Sequence, residues 1–154
     1  MKTILAFSDS HNSQIPDRLL SVIEETDYVF FLGDGTASLS DLAFHEGFYA
    51  VSGNCDAKVF PDEEIVDIDG FKMLLTHGDK YNVKRDLLSL SMRAKELNCN
   101  VVFYGHTHFA EIDTIDNITF ICPGTIADFN ASMASYVLAT VSQGKFCANI
   151  VNLV

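Results

Sequence analysis

The stretches of this sequence whose residue types could do chemistry are five: Asp9-Ser10-His11, Gly33-Asp34-Gly35, Gly53-Asn54-Cys55-Asp56, His77-Gly78-Asp79 and Gly105-His106-Thr107-His108. Together they supply imidazoles, carboxylates and one carboxamide, the nitrogen and oxygen donors that suit manganese, iron, nickel or zinc. Each alone is weak. An Asp-x-His triplet is often a turn with a capping Asp, and Gly-Asp-Gly is commonly only a loop. A single histidine is more often a hydrogen-bonded structural residue than a ligand. The distribution shifts the balance: four of the five histidines fall inside these motifs, beside glycines and further carboxylates. Only His45, on the polar side of a predicted helix, lies elsewhere, and it is given no role. Scattered structural histidines would not be expected to coincide in this way, so the metal reading is preferred.

Each motif closes an apolar run, which says what must position it. Ile4–Phe7, Tyr28–Leu32, Met73–Leu75 and Val101–Tyr104 are short continuous apolar stretches of the kind that form strands covered on both faces. Loops leaving the carboxyl ends of such strands converge on one edge of an α/β sheet, where ligands bind, and glycines let the backbone turn there sharply. Helical spacing joins Leu19, Val22 and Ile23 behind Pro16, then Leu39, Leu42 and Ala43, then Leu87, Leu90, Ala94 and Leu97. Later stretches alternate, as in Glu111–Ile115 and part of Ile65–Asp69, the period of strands with one wet face. Asp69-Gly70, Asp116-Asn117 and Gln143-Gly144 are hairpin turns by composition. The expectation is a mixed α/β domain over residues 1–154, helix-covered strands first and then an antiparallel meander.

Composition narrows the function classes. With 21 acidic against 10 basic residues, the net charge of −11 would repel a polyanion, which argues against duplex nucleic acid but not against a small phosphorylated substrate at a cationic site. No apolar run approaches the roughly 18 residues of a membrane span. The start, Met1–Asp9, reads as a buried strand and not a signal peptide, because its apolar stretch is too short and runs into a charge. Cys55, Cys99, Cys122 and Cys147 are widely spaced and read as free thiols. A cytoplasmic protein with no membrane contact is the expectation.

The order Asp-x-His, Gly-Asp, Gly-Asn-x-Asp, His, Gly-His-x-His resembles the signature of the calcineurin-like metallophosphoesterase superfamily, across residues 9 to 108. The chain's small size resembles the compact bacterial and archaeal phosphodiesterases of that superfamily, as does Pro123-Gly124-Thr125 beside their Pro-Gly-Ser turn. The resemblance implies a four-layer β-sandwich of mixed sheets flanked by helices. It implies that Asp9, His11 and His108 hold one divalent metal, that Asn54, His77 and His106 hold a second, and that Asp34 bridges them. Manganese is favoured, with nickel, iron or zinc as alternatives. The implied reaction is hydrolysis of a phosphate ester, a diester before a monoester, by a hydroxide held between the metals. Asn54 would bind metal through its carbonyl and orient a phosphate oxygen with its amide. Asp79 is either a partner to a ligand histidine or a turn residue.

One position departs from the pattern. Many members have Gly-Asn-His-Asp/Glu, whose histidine is thought to protonate the leaving group; here that position is Cys55, a poor proton donor near neutrality, and Asp56 is left without its usual partner. Cys55 and Asp56 are therefore only weak catalytic candidates. Good leaving groups, or a proton from metal-bound water, would follow. The competing reading is an inactive scaffold of the same fold, a role the retromer subunit of this superfamily shows to be available. Phe44, Phe48, Phe60, Phe109 and Phe129 are expected in ordinary core packing before a pocket or a homo-oligomer contact.

Overall fold

The structure is a computed structural model that describes residues 1–39, 42, 45–127 and 134–153. Its elements run β1 (Lys2–Phe7), α1 (Asp17–Glu25), β2 (Tyr28–Phe31), β3 (Phe48–Ala50), β4 (Glu63–Ile68), β5 (Phe71–Thr76), α2 (Leu88–Glu96), β6 (Val101–Phe103), β7 (Ala110–Ile115), β8 (Ile118–Pro123), β9 (Ser135–Ser142) and β10 (Lys145–Asn152). Short 3-10 turns lie at Thr36–Ser38 and Asp79–Tyr81. The strands form two five-stranded sheets, ordered β10-β9-β1-β2-β3 and β4-β5-β6-β8-β7.

Strand alternation explains why the early apolar runs have no polar face. In β1, Ile4 and Ala6 point between the sheets while Leu5 and Phe7 point to α1. The central layer joins Ile4, Ala6 and Phe30 of the first sheet to Met73, Leu75, Val101 and Phe103 of the second. Phe30 meets Phe103 edge-to-face across it, ring centroids 5.2 Å apart, a favoured aromatic geometry. Outside the first sheet, Leu19 and Ile23, one turn apart on α1, pack on Leu5, Val29 and Phe31. Outside the second, Leu90 and Ala94 of α2 cover Leu74, Val102 and Phe120. The result is helix, sheet, sheet, helix, the four-layer mixed α/β sandwich expected.

The three turn dipeptides each close a two-residue hairpin. Asp69 and Gly70 (φ 50° and 91°), Asp116 and Asn117 (51° and 63°), and Gln143 and Gly144 (51° and 73°) all lie in the left-handed region, which matches the twist of the flanking strands. The late strands are not one meander, however. The hairpin β7–β8 joins the second sheet through β8 beside β6, and β9–β10 returns to the first sheet through β9 beside β1. Both hairpins offer one apolar face, and alternation cannot say which open sheet edge that face will cover. Of the predicted stripe at Leu39, Leu42 and Ala43, Leu39 and Leu42 are buried against the first sheet, while Ala43 lies outside the described residues. Phe44 and Phe129 lie outside them too. Phe48 and Phe60 pack at the first sheet's outer core, but Phe109 is 63% exposed, contrary to expectation. Among the described residues no helix is long and apolar enough to cross a membrane.

Candidate metal centre

The motifs follow the carboxyl ends of β1, β2 and β3, parallel in one sheet, and of β5 and β6, parallel in the other. Backbone hydrogen bonds knit these ends together. The Asp9 N–H donates to the Gly33 carbonyl (3.0 Å), the His11 N–H to the Asp34 carbonyl (2.8 Å) and the Gly105 N–H to the His77 carbonyl (3.0 Å). Glycine is required where loops touch: a Cβ on Gly53 would strike the Asp34 carboxylate, and one on Gly105 would meet Ser8 Oγ and lie 2.8 Å from Asp9 Oδ2.

Two clusters of donors result, Asp9 with His11 and His108, and Asp34 with His77 and His106, each with its ligand atoms within 4.8 Å of one another. His11 Nε2 stands 3.1 Å from His108 Nε2, and His77 Nε2 stands 3.2 Å from His106 Nδ1. The structure thus brings His11 to His108 and His77 to His106. His106 and His108 are two residues apart yet reach different clusters, because both take left-handed backbone (φ 74° and 67°). Asp9, His11 and Asp34 do so as well, at φ 56°, 46° and 63°. Such conformations are costly for residues with a Cβ and collect at functional sites.

Asp9 tests whether the residues fit a cation. Its carboxylate is fully buried, and Oδ2 accepts from Ser8 Oγ (2.5 Å) and the His106 N–H (3.1 Å). Oδ1 accepts no hydrogen bond among the described residues, and points at His108 Nε2 (3.3 Å), His11 Nε2 (3.8 Å) and His77 Nε2 (4.0 Å). A buried carboxylate oxygen without a donor is costly unless a positive charge joins it, and three imidazoles around it are the donors a divalent cation takes. The fit is good.

His77, also buried, donates from Nδ1 to the Leu32 carbonyl (2.7 Å), which orients the ring and turns Nε2 to the centre, where it donates to Asp34 when protonated and is open to a cation when not. That carbonyl, not Asp79, orients the ring; Asp79 opens the 3-10 turn. Asp34 Oδ1 accepts the Cys55 N–H (2.8 Å) and Oδ2 lies 3.2 Å from His77 Nε2. Burial disfavours ionised Asp34, but the His77 and Cys55 hydrogen bonds outweigh it and hold its pKa down to about 2. His77 is displaced the other way: burial opposes its charge, and Asp34 and Asp9 more than restore it. His106 is lowered by burial and by the charges of His77 and Lys84.

Three further candidates, Asn54, Cys55 and Asp56, stand on the Gly-Asn-Cys-Asp loop. Asn54 is exposed and its amide donates to Cys55 Sγ (3.6 Å). Cys55 is exposed, and its thiol lies in a third cluster with His11 and Asp34. Burial and the Asp34 charge raise its pKa, which keeps it a protonated thiol. Asp56 has a task other than proton transfer. Oδ2 accepts the N–H groups of Asp34 (2.7 Å) and Gly53 (2.8 Å), and Oδ1 those of Gly35 (2.8 Å) and Thr36 (3.0 Å). It clamps the loop carrying Asp34 to the loop carrying Asn54. Two supports went unread in the sequence, Ser8 on Asp9 Oδ2 and Thr125, whose hydroxyl donates to the Asp9 carbonyl (2.6 Å). Ser8 had a signal in its place beside the motif; Thr125, 116 residues away, had only its turn.

Residues 1–144 match the family model of the calcineurin-like phosphoesterase superfamily domain. A relative described as the probable metallophosphoesterase YsnB of Bacillus subtilis is 33% identical over 128 residues, 80% of this chain and 74% of its own. Among solved structures, a predicted phosphoesterase of Streptococcus pneumoniae superposes with a TM-score of 0.81 at 24% identity, covering 98% of this chain and 89% of its own. Vacuolar Protein Sorting 29 of Cryptosporidium parvum does so at 0.78 and 22%, covering 97% and 96%.

Proposed function

This chain belongs to the calcineurin-like phosphoesterase superfamily, and on that premise we propose that it is a two-metal phosphodiesterase acting on a small phosphate ester. The observation that carries the reading is the pair of adjacent donor clusters, His77 Nε2 of one lying 4.0 Å from Asp9 Oδ1 of the other, with that oxygen accepting no hydrogen bond among the described residues. Asp9, His11 and His108 would hold one cation, and Asp34, His77, His106 and Asn54 the other, with Asp34 between them. Divalent cations there supply an acidified water as nucleophile and neutralise charge on the phosphoryl oxygens. Manganese is our first choice on the family resemblance and the carboxylate donors, with nickel, iron and zinc, which the imidazoles suit, as alternatives.

The protein's own residues do the positioning. Asp56 holds the Asp34 and Asn54 loops at fixed separation, His77 is oriented by the Leu32 carbonyl, and Asn54 stands exposed at the mouth, where its amide can meet a phosphate oxygen. A diester carries less negative charge than a monoester, so the −11 surface repels it less. Duplex nucleic acid is disfavoured on the same ground, and a cytoplasmic location suits four free thiols. The second reading, a non-catalytic scaffold, is favoured by the thiol at the usual proton donor's place and by the fold shared with Vacuolar Protein Sorting 29.

Hydrolysis of bis(p-nitrophenyl) phosphate by metal-stripped protein, with and without manganese, decides between them. Metal-dependent turnover lost by a factor of about 10³ or more in Asp34→Asn is expected. A folded protein that binds metal but turns over nothing with any divalent ion would establish the scaffold.

A further inference from the structure

A groove of about 730 Å³ opens beside the centre, on the outer side of the second sheet. One wall is the loop bearing Lys84 and Arg85; the other is Thr107, Phe109, Glu111 and Asp113. Thr107 lies between His106 and His108, and Phe109 follows His108, so the groove continues directly from the candidate metal ligands. Glu111, Asp113 and Ile115 alternate along β7, which carries the wall about 13 Å outward from there.

The lining has three chemistries in order. Lys84, whose charge is felt at His106, forms no ion pair among the described residues, while Arg85 leans on Asp86 at 3.6 Å. Phe109 exposes an aromatic face where core packing was expected. Beyond it the carboxylates of Glu111 and Asp113 can only accept hydrogen bonds. An occupant that is anionic at the metal end, flat and aromatic next, and rich in hydroxyl or amine donors beyond would meet all three. An alkyl alcohol would gain nothing from the exposed carboxylates, and an acidic alcohol would be repelled by them.

We infer that this groove binds the nucleoside half of a nucleotide diester, its base against Phe109 and its donors on Glu111 and Asp113, with Lys84 facing the phosphoryl group. The inference rests on the phosphodiesterase reading for its phosphoryl end. It defines the substrate class as nucleoside phosphate esters and makes Phe109 a specificity-determining residue.

Two chromogenic diesters with the same leaving group test it: adenosine 5′-(p-nitrophenyl phosphate) and methyl p-nitrophenyl phosphate. AMP binding to manganese-loaded protein, followed by equilibrium dialysis, gives a second readout. The wild type should favour the adenosine ester in kcat/KM by about tenfold or more, the order expected of one base–aromatic stack. Phe109→Ala should bring that ratio near one, mainly through KM, and weaken AMP binding by a similar factor; Phe109→Tyr should retain both. Turnover of the two esters at equal kcat/KM by the wild type, or AMP bound equally by wild type and Phe109→Ala, would overturn the inference. AMP binding that depends on Phe109 without hydrolysis of either ester would uphold the groove and remove the hydrolase reading instead.

Discussion

Four backbone N–H groups converge on the Asp56 carboxylate, so deleting it strands four donors at once. Asp56→Ala should cost about 3 kcal/mol or more in urea unfolding, the scale of several charge-assisted hydrogen bonds. A loss under about 1 kcal/mol would mean that water replaces the clamp. Asp34 adds a pH dependence. Its folded pKa of about 2 lies below its ordinary value of 3.8, so its stabilisation is complete above the ordinary value and lost as pH falls through the folded one. The metal-free protein should therefore lose stability between about pH 4 and 2, and less steeply in Asp34→Asn, as urea midpoints across that range would record. Cys55 makes the catalytic counterpart. It is held as a thiol, so Cys55→His should speed alkyl diesters by about tenfold or more while aryl esters, whose leaving groups need no proton, change little. Equal effects on both ester classes would show that the proton comes from elsewhere.

At the scale of elements, the glycines separate architecture from site. Gly70 turns the β4–β5 hairpin at φ 91° with nothing within 4 Å of a built Cβ, so Gly70→Ala should cost only about 1 kcal/mol of backbone strain, with activity intact. Gly105→Ala drives its methyl into Ser8 and Asp9, and should cost about 2–3 kcal/mol and weaken manganese binding as well. Urea melts and manganese titration of both variants check the contrast; equal metal affinity in the two would show that the Asp9 loop yields freely. The same distinction explains what could be read beforehand. Hairpin turns are written in dipeptides, and the buried strands in runs such as Tyr28–Phe31, because these are local properties. The histidines of the centre were legible through their ordered motifs. Asp56 was not, because its role depends on where the N–H groups of another loop point. Nor was the exposure of Phe109, since an aromatic beside a strand looks the same whether its outer neighbour is a helix or an open groove. The homes of β7–β8 and β9–β10 were hidden for the same reason: pairing across the two sheets is decided by free edges far away in sequence.

For the molecule as a whole, the two clusters lie on the seam between the sheets. Asp9, His11 and Asp34 come from the first sheet, His77, His106 and His108 from the second, and each cluster takes members from both. A cation in either cluster would therefore tie one sheet to the other at the rim where the hydrophobic layer between them ends. Only the folded chain brings the six together, since they are spread from residue 9 to residue 108, so binding must add to folding stability. At free manganese 100 times its dissociation constant the gain is about 2.7 kcal/mol per independent site. For a chain of this size that is a rise of about 5–10 °C in Tm. Chelation should remove it, and hydrogen exchange should then quicken at the motif loops of both sheets together. Exchange that quickens in one sheet's loops alone would mean that the cations bind within a sheet and not across the seam. The Asp9→Asn variant sharpens the measurement, because it keeps the shape of the buried side chain and removes its negative charge. Its rise in Tm on adding manganese should be smaller than that of the wild type, since the buried carboxylate facing the three imidazoles is the charge that binds the cation.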